Sequence, residues 1–455
     1  MNKKHILLLF GILGTHLFLL IFLKFTAWPE MTLWPYLMTK GWLPYSNIAI
    51  AHTPLMLIDL SIFYKIFGVG ILQLKIFTWL LILFFDGLIF TVVKRLWNIK
   101  TAFISLIFYI PWMLFYDGNG LWFDLYMGLL AFTSFYFAKQ KKWFWTGIFW
   151  ASAFISKQTA IWFLIPIIFE LVQNILRRPC KDQPFKVFLW FTLGALCVLV
   201  PFILLLNTFH LLPSFWNWAV KFGIFILPKA QGQIQLPTLK NLMASIFPFL
   251  IFTPLILKTG KKYLNLLIWI FAGSLGAYPR FEFFHFQPAI PFLAIASAIV
   301  FMGIRKNKTL LRFVVLIYIT CSIYLFTGFF IRNYKEGTRF YGQDVADIVT
   351  YVKYNTEKGD KIFVLNWWDN IYALTDTIPS TDPWVPQLSW YSEVTGVQEK
   401  MIEDLKSNPP KLIIFSPYTE MGLSAYIPQK VYNYITENYK LSQSVDNLEI
   451  LIPKY

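Results

Sequence analysis

The sequence predicts a polytopic α-helical membrane protein of about eleven transmembrane helices, carrying a small C-terminal α/β domain outside the membrane. Three observations lead there. Of 455 residues, 57% are apolar, 20% aromatic and only 14% charged, a balance foreign to soluble globular chains. The basic residues behind the net charge of +16 gather in short clusters between apolar runs, where they report topology rather than affinity for nucleic acid. From Asn333 onward the long apolar runs stop and shorter helix and strand patterns alternate.

In chain order, the apolar runs lie near 6–23, 72–94, 101–116, 121–138, 143–156, 158–176, 185–207, 241–257, 263–278, 286–304 and 310–330. Several are shorter than the roughly 20 residues of an upright spanning helix. The clusters Lys3/Lys4, Lys94/Arg95/Lys100, Lys139/Lys141/Lys142, Arg177/Arg178/Lys181, Lys258/Lys261/Lys262 and Arg305/Lys306/Lys308 share one side only if these eleven runs all cross. That reading puts the N-terminus in the cytoplasm and the C-terminal domain outside a plasma membrane. The first run lacks a small-residue cleavage site and reads as a retained span. Cys180, Cys197 and Cys321 sit in or beside apolar runs and imply no disulfide framework.

The membrane domain is expected over 1–332, with an outer loop at 24–71 and a surface loop at 208–240. Within the first loop, Trp28-Pro29-Glu30 opens a short helical piece reaching Lys40, and Pro54–Phe67 forms a second helix. The latter has fourteen residues and carries Asp59 and Lys65, so it is expected as an interfacial or re-entrant helix within the outer loop; an ordinary short span is the alternative. The segment His210–Lys240 mixes Trp216 and Trp218 with Lys221 and Lys229 and is broken by Pro213, Pro228 and Pro237. It reads as a loop on the membrane surface, either gating a lipid substrate or passive. In 333–455, helices are expected at Gln343–Asn355 and Val394–Lys406 and strands at Lys361–Leu365, Lys411–Phe415 and Leu448–Ile452. Trp367-Trp368-Asp369 follows the first strand; it reads as a packed edge more readily than as a substrate contact.

Under this topology the outer connections collect Glu30, His52, Asp117, Asn119, Asp124, Lys157, Tyr278, Arg280, Glu282 and His285. A carboxylate at the mouth of a span costs several kcal/mol to desolvate, so Glu30 must meet water, a cation or a reacting group. Asp117-Gly118-Asn119-Gly120 is also simply a good turn sequence. Lys157, in Ser156-Lys157-Gln158-Thr159 between two apolar runs, needs an anion or a wet cavity, and a lipid-carrier phosphate would serve; snorkelling is the alternative. Arg280 offers paired donors for phosphate, or pairs with Glu282 and does nothing more.

These features resemble the GT-C fold of lipid-linked-sugar glycosyltransferases, similar to protein O-mannosyltransferases and the aminoarabinose transferase that modifies lipid A. The resemblance rests on Glu30 after the first run, Gly41-x-x-Pro44-Tyr45, His52-Thr53-Pro54-Leu55, Asp117, the Ser-Lys-Gln-Thr turn, and Arg280 with His285. It covers about residues 1–330. Glu30 stands alone where many relatives carry two nearby acids. The resemblance implies inverting transfer from a polyprenyl-phosphate sugar to a protein, lipid or glycan acceptor. Glu30 would be the base and Asp117 a second acid orienting the acceptor or a divalent metal ion. Lys157, Arg280 and His285 would meet the leaving phosphate, and Tyr45, His52, Asn119 and Asp124 would contact substrate. No cofactor is otherwise implied. A transporter or flippase of a lipid-linked glycan is the competing class, although no internal repeat supports it. A ligase transferring a whole polymer differs only in its product.

Overall fold

The computed structural model describes residues 2–177, 183–230, 233–251, 263–303, 309–386, 389–418 and 427–454. Arg178, Cys180, Lys181, Lys258, Lys261, Lys262, Arg305, Lys306 and Lys308 lie outside the described residues. The chain divides into two compact units. One comprises Met1–Thr26, Ile76–Leu205 and Gln235–Gly337; the other comprises Ala27–Lys75, Leu206–Ile234 and Thr338–Tyr455.

The first unit is a helical bundle of a multi-pass membrane protein. Each of the eleven apolar runs carries helix among the described residues. Among the described residues, six helices are long and apolar enough to cross a membrane: Lys3–Phe22, Ile71–Leu96, Gln158–Leu176, Phe185–Thr208, Phe283–Met302 and Val315–Asn333. Ile99–Phe115, Leu239–Leu250 and Leu264–Ala277 are shorter apolar helices. Local chemistry sets several starts, since Asn2 accepts from the His5 amide and Asn98 from the Thr101 amide, satisfying amides that the first helical turn leaves open. The bundle interior is aromatic: Trp269 packs against Phe135 at 5.3 Å and Phe292 at 5.4 Å. In hydrocarbon such rings are held by packing rather than by the exclusion of water. Its indole donates to Glu170 (2.9 Å), which also pairs with Lys139 (2.8 Å), so the polar end of the ring is satisfied.

The second unit holds a five-stranded sheet. Its order is Ile378–Pro379, Lys361–Leu365, Ile413–Phe415, Leu448–Pro453, Tyr439–Val445, with parallel pairing among the first three strands and antiparallel pairing beyond. Ile362 to Leu365 are all buried, as expected of a strand covered on both faces. Helix Gln343–Asn355 buries Val345, Ile348, Val349 and Val352, one face of a 3.6-residue period. The core runs on through Phe363, Leu365, Met401, Leu405, Ile413, Val431 and Ile435 and includes Ala49, Ala51 and Phe222 from the other segments of this unit.

Where the expected strands and helices fall, the boundaries shift by a few residues: Ile413–Phe415 for Lys411–Phe415, and Val397–Ser407 for Val394–Lys406. The strand Tyr439–Val445 was not apparent in the sequence because it is a sheet edge with its middle residues exposed, so it lacks apolar alternation. The 208–240 segment also differs from a proline-broken loop. It forms Leu212–Phe215 and then Trp216–Ile226, a helix with π-type hydrogen bonding. Pro213 and Pro228 sit in first helical turns, where a missing amide proton costs nothing, so they start helices rather than break them. Gly223 lets this helix close on the chain: a Cβ there would lie 2.5 Å from the Ala51 carbonyl oxygen. Helix Leu55–Phe67 buries Met56, Leu57, Leu60 and Tyr64, spans about 20 Å, and ends at Gly68, whose φ of 84° suits glycine.

Candidate active site

In the first unit, three predicted site residues converge. Asp124 lies in the first turn of helix Phe123–Lys139 and is fully buried. Lys157 is extended at the start of the 3-10 helix Gln158–Phe163, its amide donating to Ala153 O. His285 belongs to the 3-10 helix Phe283–Ala289. That segment can press against its neighbours because they offer glycine: a Cβ on Gly128 would stand 3.1 Å from Pro288 Cα, and one on Gly273 2.8 Å from Ala289 Cα. Lys157 Nζ donates to Asp124 Oδ2 at 2.5 Å, and His285 Nδ1 lies 3.0 Å from the same oxygen and 3.2 Å from Nζ. Nδ1 either donates to the carboxylate or accepts from the lysine, so the tautomer of His285 is tied to the pair. The anion Lys157 needs is Asp124. The other carboxylate oxygen, Asp124 Oδ1, is buried with no hydrogen-bond partner among the described residues.

Three other predicted residues of this unit have different surroundings. Asn119 is buried, its Nδ2 lies 2.9, 3.0 and 3.1 Å from the carbonyl oxygens of Leu20, Leu23 and Lys24, and its Oδ1 accepts from Trp79 Nε1. Its amide is spent tying down the end of the first helix. Asp117, half-buried, takes a φ of 56° in the turn before it. Arg280 Nε stands 3.5 Å from Glu282 Oε1, both side chains being about a third exposed.

In the second unit, Glu30 occupies the first turn of helix Pro29–Thr39, with Pro29 pre-set for the helical start. Trp28 meets Phe340 at 5.2 Å, and Phe340 meets Trp368 at 4.8 Å. The Arg339 guanidinium lies over Trp28 (5.4 Å) and Phe340 (4.7 Å), and Asn370 Nδ2 donates to Phe340 O. This ring sequence leads from the residues before Glu30 to Asp369, which follows the carboxyl end of strand Lys361–Leu365. Burial first, and then the Glu30 charge, hold the Asp369 carboxyl well above the usual carboxylate range. The Tyr391 phenol is raised by burial, and the Glu30 charge adds to it. Tyr45 is buried, donates from its hydroxyl to His52 O at 2.9 Å, and meets Phe215 edge-on at 5.1 Å; His52 is half-buried.

Asp369 is the residue that sequence reasoning underweighted; the available signal was its place after a parallel strand, where open α/β sheets put ligands. His16 and Asp86 were missed as well. Fully buried, they pair at 2.6 Å between Nδ1 and Oδ2, and their signal was two ionisable groups inside apolar runs. Among the described residues, no group of three or more His, Cys, Asp or Glu side chains converges to hold a metal ion.

This fold is the GT-C fold. Over 99% of its length the chain aligns with 98% of ArnT from Cupriavidus metallidurans bound to undecaprenyl phosphate, at 12% identity and a TM-score of 0.63. The same enzyme in the apo state gives 13% identity and 0.65, over 98% of this chain and 97% of that one. The archaeal oligosaccharyltransferase AglB from Archaeoglobus fulgidus, in complex with an inhibitory peptide and a dolichol-phosphate, gives 10% identity and 0.55, over 99% and 74%. Residues 51–205 match the family described as dolichyl-phosphate-mannose-protein mannosyltransferase. No curated protein sequence matches the chain.

Proposed function

We propose that this protein is an integral membrane glycosyltransferase that moves a sugar from a polyprenyl-phosphate carrier to an acceptor hydroxyl on the outer face of the membrane, in one inverting displacement. The observation carrying this reading is the buried Asp124–Lys157–His285 cluster within a fold shared, along the whole chain, with a protein bound to undecaprenyl phosphate. The match of residues 51–205 to the mannosyltransferase family points the same way.

In the proposed step the acceptor oxygen bonds to the anomeric carbon as the carbon–oxygen bond to phosphate breaks. The phosphate leaves with the electron pair, and the hydroxyl proton passes to Glu30. Asp117 orients the acceptor, while Lys157, Arg280 and His285 meet the leaving phosphate with charged or polar donors. Asp124 holds Lys157 in place, because one of the three ammonium protons is committed to Oδ2 and others remain for an anion.

Single-turnover transfer from a defined polyprenyl-phosphate sugar, followed across pH, tests this. Glu30→Gln keeps the shape and removes the basicity, so transfer should fall by about a hundred to ten thousandfold with unchanged protein yield. Near-normal transfer by that variant would move the base to Asp117, and absence of transfer by the unaltered protein from any such donor would sink the proposal.

A further inference from the structure

The second unit contains a cavity of about 450 Å³ that the chemistry above does not use. Its walls include Lys40 at the end of helix Pro29–Thr39, Lys353 in the last turn of Gln343–Asn355, Lys358 just beyond that helix, and Asp376. Asp376 is committed: it pairs with Lys40 at 2.6 Å and accepts from the Tyr36 hydroxyl at 3.1 Å. Lys353 and Lys358 form no ion pair among the described residues, although the Lys358 charge adds to that of Lys40 in lowering the Asp376 carboxyl. Three lysines against one carboxylate leave a surplus of two positive charges on the wall.

The cavity also has an apolar neighbour. Val69 lines it directly after helix Leu55–Phe67, where Ile58, Ile62 and Ile66 form an exposed stripe at every fourth residue, ending in exposed Phe67. A stripe of that spacing beside a basic surface suits a helix lying in the lipid interface, its apolar side among acyl chains and the cations at headgroup level. We infer that this cavity binds the phosphate of an anionic phospholipid headgroup, with Lys353 and Lys358 supplying the unspent charge and the Ile58–Ile62–Ile66 stripe meeting the acyl chains. Phosphatidylcholine, whose net charge is zero, lacks the attraction.

The test uses the purified full-length protein and three probes: short-chain phosphatidylglycerol, phosphatidylcholine of the same chain length, and inorganic phosphate, with retention read by native mass spectrometry. Phosphatidylglycerol should bind in preference to phosphatidylcholine. Lys353→Gln with Lys358→Gln should weaken it by about fivefold per lysine, ~25-fold together. Lys440→Gln, on the exposed edge strand, should leave binding unchanged and so control for overall charge. Equal binding of the two lipids, or unaltered phosphatidylglycerol binding by the double variant, would overturn the inference. Inorganic phosphate displacing the lipid at equal concentration would overturn its assignment to a lipid headgroup.

Discussion

Two charged clusters in this protein are built on opposite principles. Asp124, Lys157 and His285 gather unlike groups on one carboxylate oxygen, so each member fixes the position of the others. Around Glu30 the arrangement brings like groups together: its charge acts on Asp369 and Tyr391, both of which hold their protons more tightly for it. The contrast separates two tasks. A cluster of unlike charges holds donors in a fixed geometry, which suits meeting a phosphate. A cluster of like charges tunes proton affinity, which suits a base.

The largest effect should come from breaking the first cluster. Lys157→Met leaves the Asp124 carboxylate buried without its cation and should cost about 3–5 kcal/mol of stability. Adding Asp124→Leu removes the stranded charge and should restore most of that loss, since well-packed apolar replacements of a buried pair are often neutral. Thermal unfolding of the detergent-solubilised protein measures both. Transfer should stay abolished in the stable double variant if Lys157 meets the phosphate; recovered transfer would reduce the lysine to a structural tie.

A smaller effect should mark the second cluster. Because the folded protein raises the Asp369 pKa, the native state binds that proton more tightly than the unfolded chain does. The stability contributed by Asp369 is therefore full below the ordinary carboxyl value of about 3.9 and is lost as pH rises through the raised value. Asp369→Asn removes that slope, so its stability advantage over the unaltered protein should grow as pH rises through the raised value. Parallel pH–stability curves for the variant and the unaltered protein would show that the folded protein does not hold the Asp369 proton more tightly than the unfolded chain.

The two clusters also differ in how far the sequence revealed them. Asp124, Lys157 and His285 were each legible as candidates because an ionisable group beside an apolar run is costly wherever it sits. Their mutual contact was not, since it joins positions 33 and 161 residues apart. Helices with a clean period, such as Gln343–Asn355, could be placed to the residue, whereas the helix Trp216–Ile226 was hidden by prolines that turned out to start helices. Asp369 sits among Trp367 and Trp368, and aromatic residues advertise packing so strongly that a carboxyl group between them gives no separate signal in one sequence. Asn119 illustrates the converse: its chemistry fits substrate contact, yet the nearby carbonyl oxygens of Leu20, Leu23 and Lys24 claim its amide.

Arg280 supplies the gentlest test, because it is an ion pair of the kind the first cluster is not. Its contact with Glu282 is 3.5 Å long and about a third exposed on both sides, so water and salt screen it, and such pairs contribute ~0–1 kcal/mol. Arg280→Gln should therefore leave the unfolding temperature almost unchanged, and Glu282→Gln likewise. If Arg280 also meets the carrier phosphate, the first variant alone should weaken donor binding by about 1.5–3 kcal/mol, the range for a charged hydrogen bond. Titrating both variants with the same polyprenyl-phosphate sugar separates the two roles. Weaker binding in Arg280→Gln with tighter or equal binding in Glu282→Gln places the guanidinium on the phosphate, because removing Glu282 frees it. Unchanged binding in both confines Arg280 to its carboxylate neighbour and leaves Lys157 and His285 as the phosphate contacts.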